Sequence, residues 1–190
     1  MIEKYKEILK ERLSEKRYHH SLCVADEAVR LAKLYGANEE KAYLAGLLHD
    51  ICKNEKKTQL LENLAKYGII LSDVEKAHHK LWHAMAGAEY IRDVLEITDE
   101  EIITAVRYHT TARANMGLLE KVLYLADFTS ADRDYNGVER MREKVEVSMA
   151  AAMKEALQFT ICDLAGAGKP IHPDALGAYN EIILEEKMYG

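Results

Sequence analysis

The sequence predicts an all-α protein, and three observations carry that prediction. Helix breakers are scarce, with two prolines and ten glycines in 190 residues, against an abundance of strong helix formers such as Ala, Leu, Glu and Lys. Apolar residues recur at three- and four-residue spacing, with no strand-like alternation, internal repeat or low-complexity linker. Capping signatures stand in front of several of these stretches. The length predicts a single domain over 1-190, with a core over about 17-128 and C-terminal helices over 138-189 packed on it.

The elements follow in order. Ile2, Tyr5, Ile8, Leu9 and Leu13 give residues 2–13 the stripe of a short amphipathic helix. A second helix is predicted from about Arg17 to Tyr35, stopped by Gly36, which suits the left-handed cap. Of its adjacent histidines, His19 steps onto Leu22, Cys23 and Asp26 and soon reaches polar positions. His20 steps onto Val24, Glu27, Ala28 and Leu31, so His20 is the inward one. Asn38 caps a third helix that ends in Leu47-Leu48-His49-Asp50, where the helix dipole opposes the Asp50 carboxylate. After a basic loop from Lys53 to Lys57, Thr58 is predicted to cap a helix closed around Gly68.

Ser72-Asp73-Val74-Glu75 and Thr98-Asp99-Glu100-Glu101 both match the capping box. Between them stand His78, His79 and His83. The last two share a face if one helix spans them, and periodicity does not choose between them, although the line from His83 through Gly87, Tyr90 and Ile91 points inward. The helix opened by Thr98 delivers His109 on the face of Ile102, Ala105 and Val106. A polar loop with Arg113 follows, then an apolar run from Leu118 to Phe128 that brings in Asp127. Residues 129–137 form a second polar loop. One long helix is predicted from Val138 to about Leu164, then a Gly/Pro breaker, then a last helix from Pro173 to Met188.

Composition narrows the function. A net charge of −6 without a Lys/Arg stripe excludes general attraction to nucleic acid. No apolar run approaches the ~20 residues of a membrane span, and residues 1–16 lack the apolar core of a secretion signal. Cys23, Cys52 and Cys162 show no CxxC spacing and predict reduced thiols in a cytoplasmic protein.

His20, His49, Asp50, His83, His109 and Asp127 remain as inward polar residues. Unpaired, they are too many for a core to tolerate. Imidazoles with carboxylates suit divalent iron, manganese, zinc or nickel. Six donors exceed a closed structural zinc site and suit two metals sharing Asp50, with positions open to water or substrate.

The order of one His, then His-Asp, then two His and a late Asp resembles the HD-domain metal phosphohydrolases. More closely, Arg17-Tyr18-His19-His20-Ser21, Leu48-His49-Asp50-Ile51-Cys52-Lys53, His83-Ala84-Met85-Ala86-Gly87-Ala88, His109-Thr110-Thr111 and Leu125-Ala126-Asp127 are similar to the YqeK family of bacterial symmetrical bis(5'-nucleosyl)-tetraphosphatases, from about residue 10 to Asn180. The resemblance implies an HD-domain-like fold with a metal centre in the helical core. It assigns His20, His49, Asp50, His83, His109 and Asp127 as metal ligands, choosing His20 over His19 and His83 over His79. It implies two metal ions, iron first, with manganese, magnesium, nickel or zinc as alternatives. Asp50 and Lys53 are then catalytic, and Lys53, Thr110, Thr111, Arg113 and Arg133 face the substrate. The implied reaction is hydrolysis of diadenosine tetraphosphate at its centre to two ADP by water activated at the metals.

Two loops depart from the family pattern. Ala112 stands where the family has glycine, and Thr129-Ser130-Ala131-Asp132-Arg133 replaces Ile-Glu-Pro-Asn-Arg. These departures leave two other readings: the same centre acting on another nucleotide, or a non-catalytic nucleotide-binding module. The expected partner is a small nucleotide, and the sequence leaves a homodimer open.

Overall fold

The computed structural model describes residues 2–189, and every regular element among them is helical. α1 (Ile2–Arg12) covers one side of the core through Tyr5 and Leu9. α2 (Glu15–Tyr35) starts two residues before the predicted Arg17, because the Ser14 hydroxyl accepts a hydrogen bond from the Arg17 backbone N–H. Gly36 ends it at φ 76°, and its N–H returns to the Ala32 carbonyl. α3 (Glu39–Leu48) is capped by Asn38 as predicted.

α4 (Lys57–Lys66) corrects a predicted boundary: Lys56, not Thr58, occupies the cap position, with no side-chain hydrogen bond. α5 (Asp73–Ala77) carries the predicted capping box of Ser72 and Glu75. The chain does not continue as one helix through His79 and His83. A single 3-10 turn, His79–Leu81, separates α5 from α6 (Trp82–Asp93). The Trp82 indole N–H reaches back 2.7 Å to the Glu75 carbonyl and folds α6 against α5, so His79 packs edge-on to Trp82 while His83 is buried.

α7 (Glu100–Tyr108) is capped by Asp99, one residue after the predicted Thr98, through the Glu101 N–H. α8 (Leu118–Thr129) is followed by the loop 130–137. The long helix predicted over 138–164 is two helices, α9 (Val138–Val147) and α10 (Met149–Gly166). Ser148 breaks it: its backbone is extended, and its hydroxyl accepts from the Ala151 N–H as the cap of α10. α11 (Pro173–Tyr189) closes the chain.

α2 lies against α3 and α8, and α7 packs on α3, α6 and α8. Their shared core includes Val24, Leu31, Leu47, Ile51, Met85, Ile91, Val106, Leu123 and Leu125. α3 crosses α2 closely at Gly46, where a Cβ would stand 2.7 Å from the Ala25 Cα and 3.0 Å from the Val24 carbonyl oxygen. Only glycine lets α3 approach α2 this closely. No helix among the described residues is long and apolar enough to cross a membrane.

Candidate metal centre

The C-terminal ends of α3, α7 and α8 meet the first turn of α6 and the first half of α2. His49 follows the last residue of α3, and Asp50 comes next. His109 follows the last residue of α7, Asp127 lies in the last turn of α8, His83 is the second residue of α6, and His20 sits within α2. Three helix ends thus turn their carbonyl poles toward one point, a field that favours cations there. His20, His49, Asp50, His83 and His109 are all buried, while the Asp127 side chain keeps 20% of its surface exposed.

Imidazole orientation follows from backbone partners. His49 Nδ1 lies 2.7 Å from the Gly46 carbonyl, His83 Nδ1 2.6 Å from that of Lys80, and His109 Nδ1 2.7 Å from that of Val106. A carbonyl oxygen only accepts, so Nδ1 carries the proton in each ring and Nε2 is left as the electron-pair donor. These donors face one another. His83 Nε2 is 3.2 Å from His109 Nε2 and 3.0 Å from Asp50 Oδ1, and Asp50 Oδ1 is 3.6 Å from His109 Nε2. His49 Nε2 and Asp50 Oδ1, both fully buried, have no hydrogen-bond partner. Lone pairs pressed together inside a protein repel unless a cation lies among them.

Two donor groups emerge, His20 with His49 and Asp50, and Asp50 with His83 and His109, with ligand atoms within 4.8 Å of one another in each. Asp50 belongs to both. Asp127 Oδ1 stands 3.0 Å from His20 Nε2 and 3.9 Å from His49 Nε2. The donor set fits a divalent metal centre of nitrogen and oxygen ligands.

The electrostatics agree. Burial pushes the His49 and His83 imidazoles down to about 4, so both are neutral donors near pH 7. Burial alone would raise the Asp50 carboxyl, but the charge interaction with His49 in its protonated form and with the Lys53 ammonium outweighs it and holds it well below the usual range. For Asp127, burial is likewise overcome, here by His20, Arg133 and His49. Burial pushes the Cys52 thiol up to about 12, and its sulfur lies outside both donor groups, facing Arg12 at 3.7 Å.

Cations ring the cluster. Lys53 Nζ is 3.1 Å from His83 Nε2 and 3.4 Å from Asp50 Oδ1. Arg133 donates to Asp127 and lies 3.4 Å from His20 Nε2. Arg17 donates to Asp50 Oδ2 at 3.1 Å, a contact that sequence reasoning missed. Thr111 is buried and its hydroxyl has no partner, while Thr110 is half-buried. Arg113, expected at the substrate, is instead committed to the buried Glu120 through two bonds of 2.7 and 2.8 Å, and it also packs over the Tyr108 ring.

The second missed residue is Asp132, whose Oδ2 lies 2.8 Å from His20 Nδ1. It stands where the resembling family carries asparagine. Its own Oδ1 accepts from the Ser130 hydroxyl at 2.8 Å. The signal for it was a carboxylate beside Arg133 in a polar loop, which by itself resembles any solvated acid.

Residues 17–132 match the HD domain family model. The symmetrical bis(5'-nucleosyl)-tetraphosphatase of Halalkalibacterium halodurans is 40% identical over 185 residues, covering 95% of this chain and 96% of that one. The enzyme of the same name from Bacillus subtilis is 33% identical, covering 92% and 94%. A crystal structure from Clostridium acetobutylicum, described as a "predicted HD superfamily hydrolase involved in NAD metabolism", superposes with a TM-score of 0.94 at 35% identity over 97% of this chain and 98% of that one.

Proposed function

The chain belongs to the HD domain family, and on that premise we propose that it is a metal-dependent hydrolase cleaving diadenosine tetraphosphate symmetrically to two ADP. The observation that carries the metal dependence is the buried, mutually facing Nε2 atoms of His83 and His109 together with His49 Nε2, which has no hydrogen-bond partner. The substrate follows from the near full-length likeness to two enzymes of that name.

His20, His49 and Asp50 would hold one ion, and Asp50, His83 and His109 a second, with Asp127 completing the set beside His20. The donor chemistry admits iron, manganese, nickel or zinc, and the resemblance to the YqeK family favours iron. When bound, the metals supply Lewis acidity, polarising a phosphoryl oxygen and making water nucleophilic at neutral pH.

The chain's own residues do the rest. Lys53 sits between Asp50 and His83 and neutralises charge that develops on the attacked phosphate. Arg133 reaches across from Asp127 and His20, and with Lys16 and Arg17 it lines a cleft of about 310 Å³ that takes the remaining phosphates.

Elemental analysis of protein purified without chelator, coupled to chromatography of the products, tests the reading. Two ADP per substrate is the expected result, whereas ATP with AMP, or intact substrate at full metal occupancy, overturns it. His20→Ala and Asp50→Ala are expected to lose metal and at least about a thousandfold in activity. His19→Ala keeps both, because His19 is exposed and its ring meets only Cys23, at 3.5 Å.

A further inference from the structure

Beside the cluster, sharing Arg133 and Tyr135 with the cleft that Lys16 and Arg17 line, lies a second cleft of about 310 Å³ lined by Asp127, Phe128, Arg133, Tyr135 and Phe159. Its three rings come from the end of α8, the loop 130–137 and the middle of α10. The Tyr135 and Phe159 ring centroids are 5.2 Å apart with planes at 43°, and Phe159 meets Phe128 edge-on at 6.3 Å. Phe128 rests on the fully buried Tyr124, at 5.2 Å. Phe159 leaves 43% of its surface exposed. That is an unusual amount of open aromatic surface to place against a charged site.

We infer that this aromatic cleft is the subsite for one nucleobase of the substrate, which stacks on Phe159 and Tyr135 while its phosphates run past Arg133 toward the metal centre; the inference rests on the nucleotide reading above. Base faces stack on aromatic rings whatever the base. The cleft offers few groups to read a base edge. The Tyr135 hydroxyl donates to the Phe128 carbonyl at 3.1 Å, Arg133 Nε and one of its two terminal nitrogens are taken by Asp127, and Asp127 Oδ1 faces His20 and Arg133. Recognition here is by stacking, so adenine and guanine are accepted alike.

Calorimetric titration of the metal-containing protein with ADP, GDP and inorganic pyrophosphate tests this without any turnover. Phe159→Ala is expected to weaken ADP and GDP by at least about tenfold, leave pyrophosphate unchanged, and be rescued by Phe159→Tyr. Unchanged ADP affinity in Phe159→Ala overturns the inference, as does equal weakening of ADP and pyrophosphate, which would mark a merely structural role. A wild-type preference for ADP over GDP above about tenfold overturns recognition by stacking. If the hydrolysis products refute the tetraphosphate while Phe159→Ala still weakens ADP selectively, the cleft stands as a base subsite and only the substrate is revised.

Discussion

Around His49, Asp50, His83 and His109 every imidazole is fixed by its own stretch of chain, whereas His20 is fixed by a loop 112 positions away. The reason lies in where carbonyls are free. Gly46 and Val106 lie in the last turns of α3 and α7, where carbonyl oxygens lack in-helix donors, and they accept from the histidine three residues later. Lys80 does the same from the 3-10 turn before α6. His20 lies inside α2, whose carbonyls are occupied by the helix itself, so its Nδ1 must find a partner elsewhere, and Asp132 supplies it. One end of the cluster is therefore built by local helix geometry and the other by a long-range contact through the loop 130–137.

The largest effect that breaks this contrast comes from Gly46→Ala. The added Cβ meets backbone of α2, which has no rotamer to escape into. Alanine brings back about 1 kcal/mol of helix propensity. Overpacking of this kind costs about 1–3 kcal/mol when side chains give way, and more against backbone. The melting temperature is expected to fall by at least about 4 °C. Because α3 carries both His49 and Asp50, activity is expected to fall by about tenfold or more with it. A variant as stable and as active as the parent would show that the local frame of this end is not what holds the site.

At the other end the effect is smaller and of a different kind. Asp132→Ala leaves His20 buried but without its orienting partner, and metal affinity is expected to drop about 10–100-fold with little change in melting temperature. Asp132→Asn keeps an acceptor in place and is expected to lose less than about tenfold. Competition against a chromophoric chelator measures both. Equal affinities for wild type and Asp132→Ala would mean that His20 is held by packing alone, and the contrast between the ends would vanish.

The same division explains what the sequence made legible. The helical wheel distinguishes His20 from His19 because α2 presents a long apolar line for comparison, and the ends of α3, α7 and α8 announce their polar residues by following apolar runs. The His79 and His83 pair resists such reading, because the break at His78 depends on Trp82 folding back onto Glu75. Ser148 is hidden for another reason: mid-pattern, serine has ordinary helix propensity and becomes a cap only when the chain turns there. Asp132 and Arg17 are invisible to any local pattern, since their partners lie 112 and 33 positions away. Arg113 shows the converse error, a loop arginine that looks free in sequence and is consumed by Glu120.

The smallest expected effect sharpens the contrast from the local side. Ala112, standing where the resembling family has glycine, holds φ 56° with its methyl fully buried, and its N–H returns 2.8 Å to the Tyr108 carbonyl to close α7. Ala112→Gly relieves a left-handed strain of about 1–2 kcal/mol. It also forfeits a buried methyl of about 0.8 kcal/mol and gives the unfolded chain about 0.4–1 kcal/mol of added freedom. These nearly cancel, so the melting temperature is expected to stay within about 3 °C of the parent. Metal affinity is expected to be unchanged, because His109 takes its orientation from Val106, within α7 and ahead of the turn. A shift in metal affinity with the melting temperature intact would mean that the loop after α7 orients His109 as the loop after α8 orients His20, and both ends would then depend on their loops.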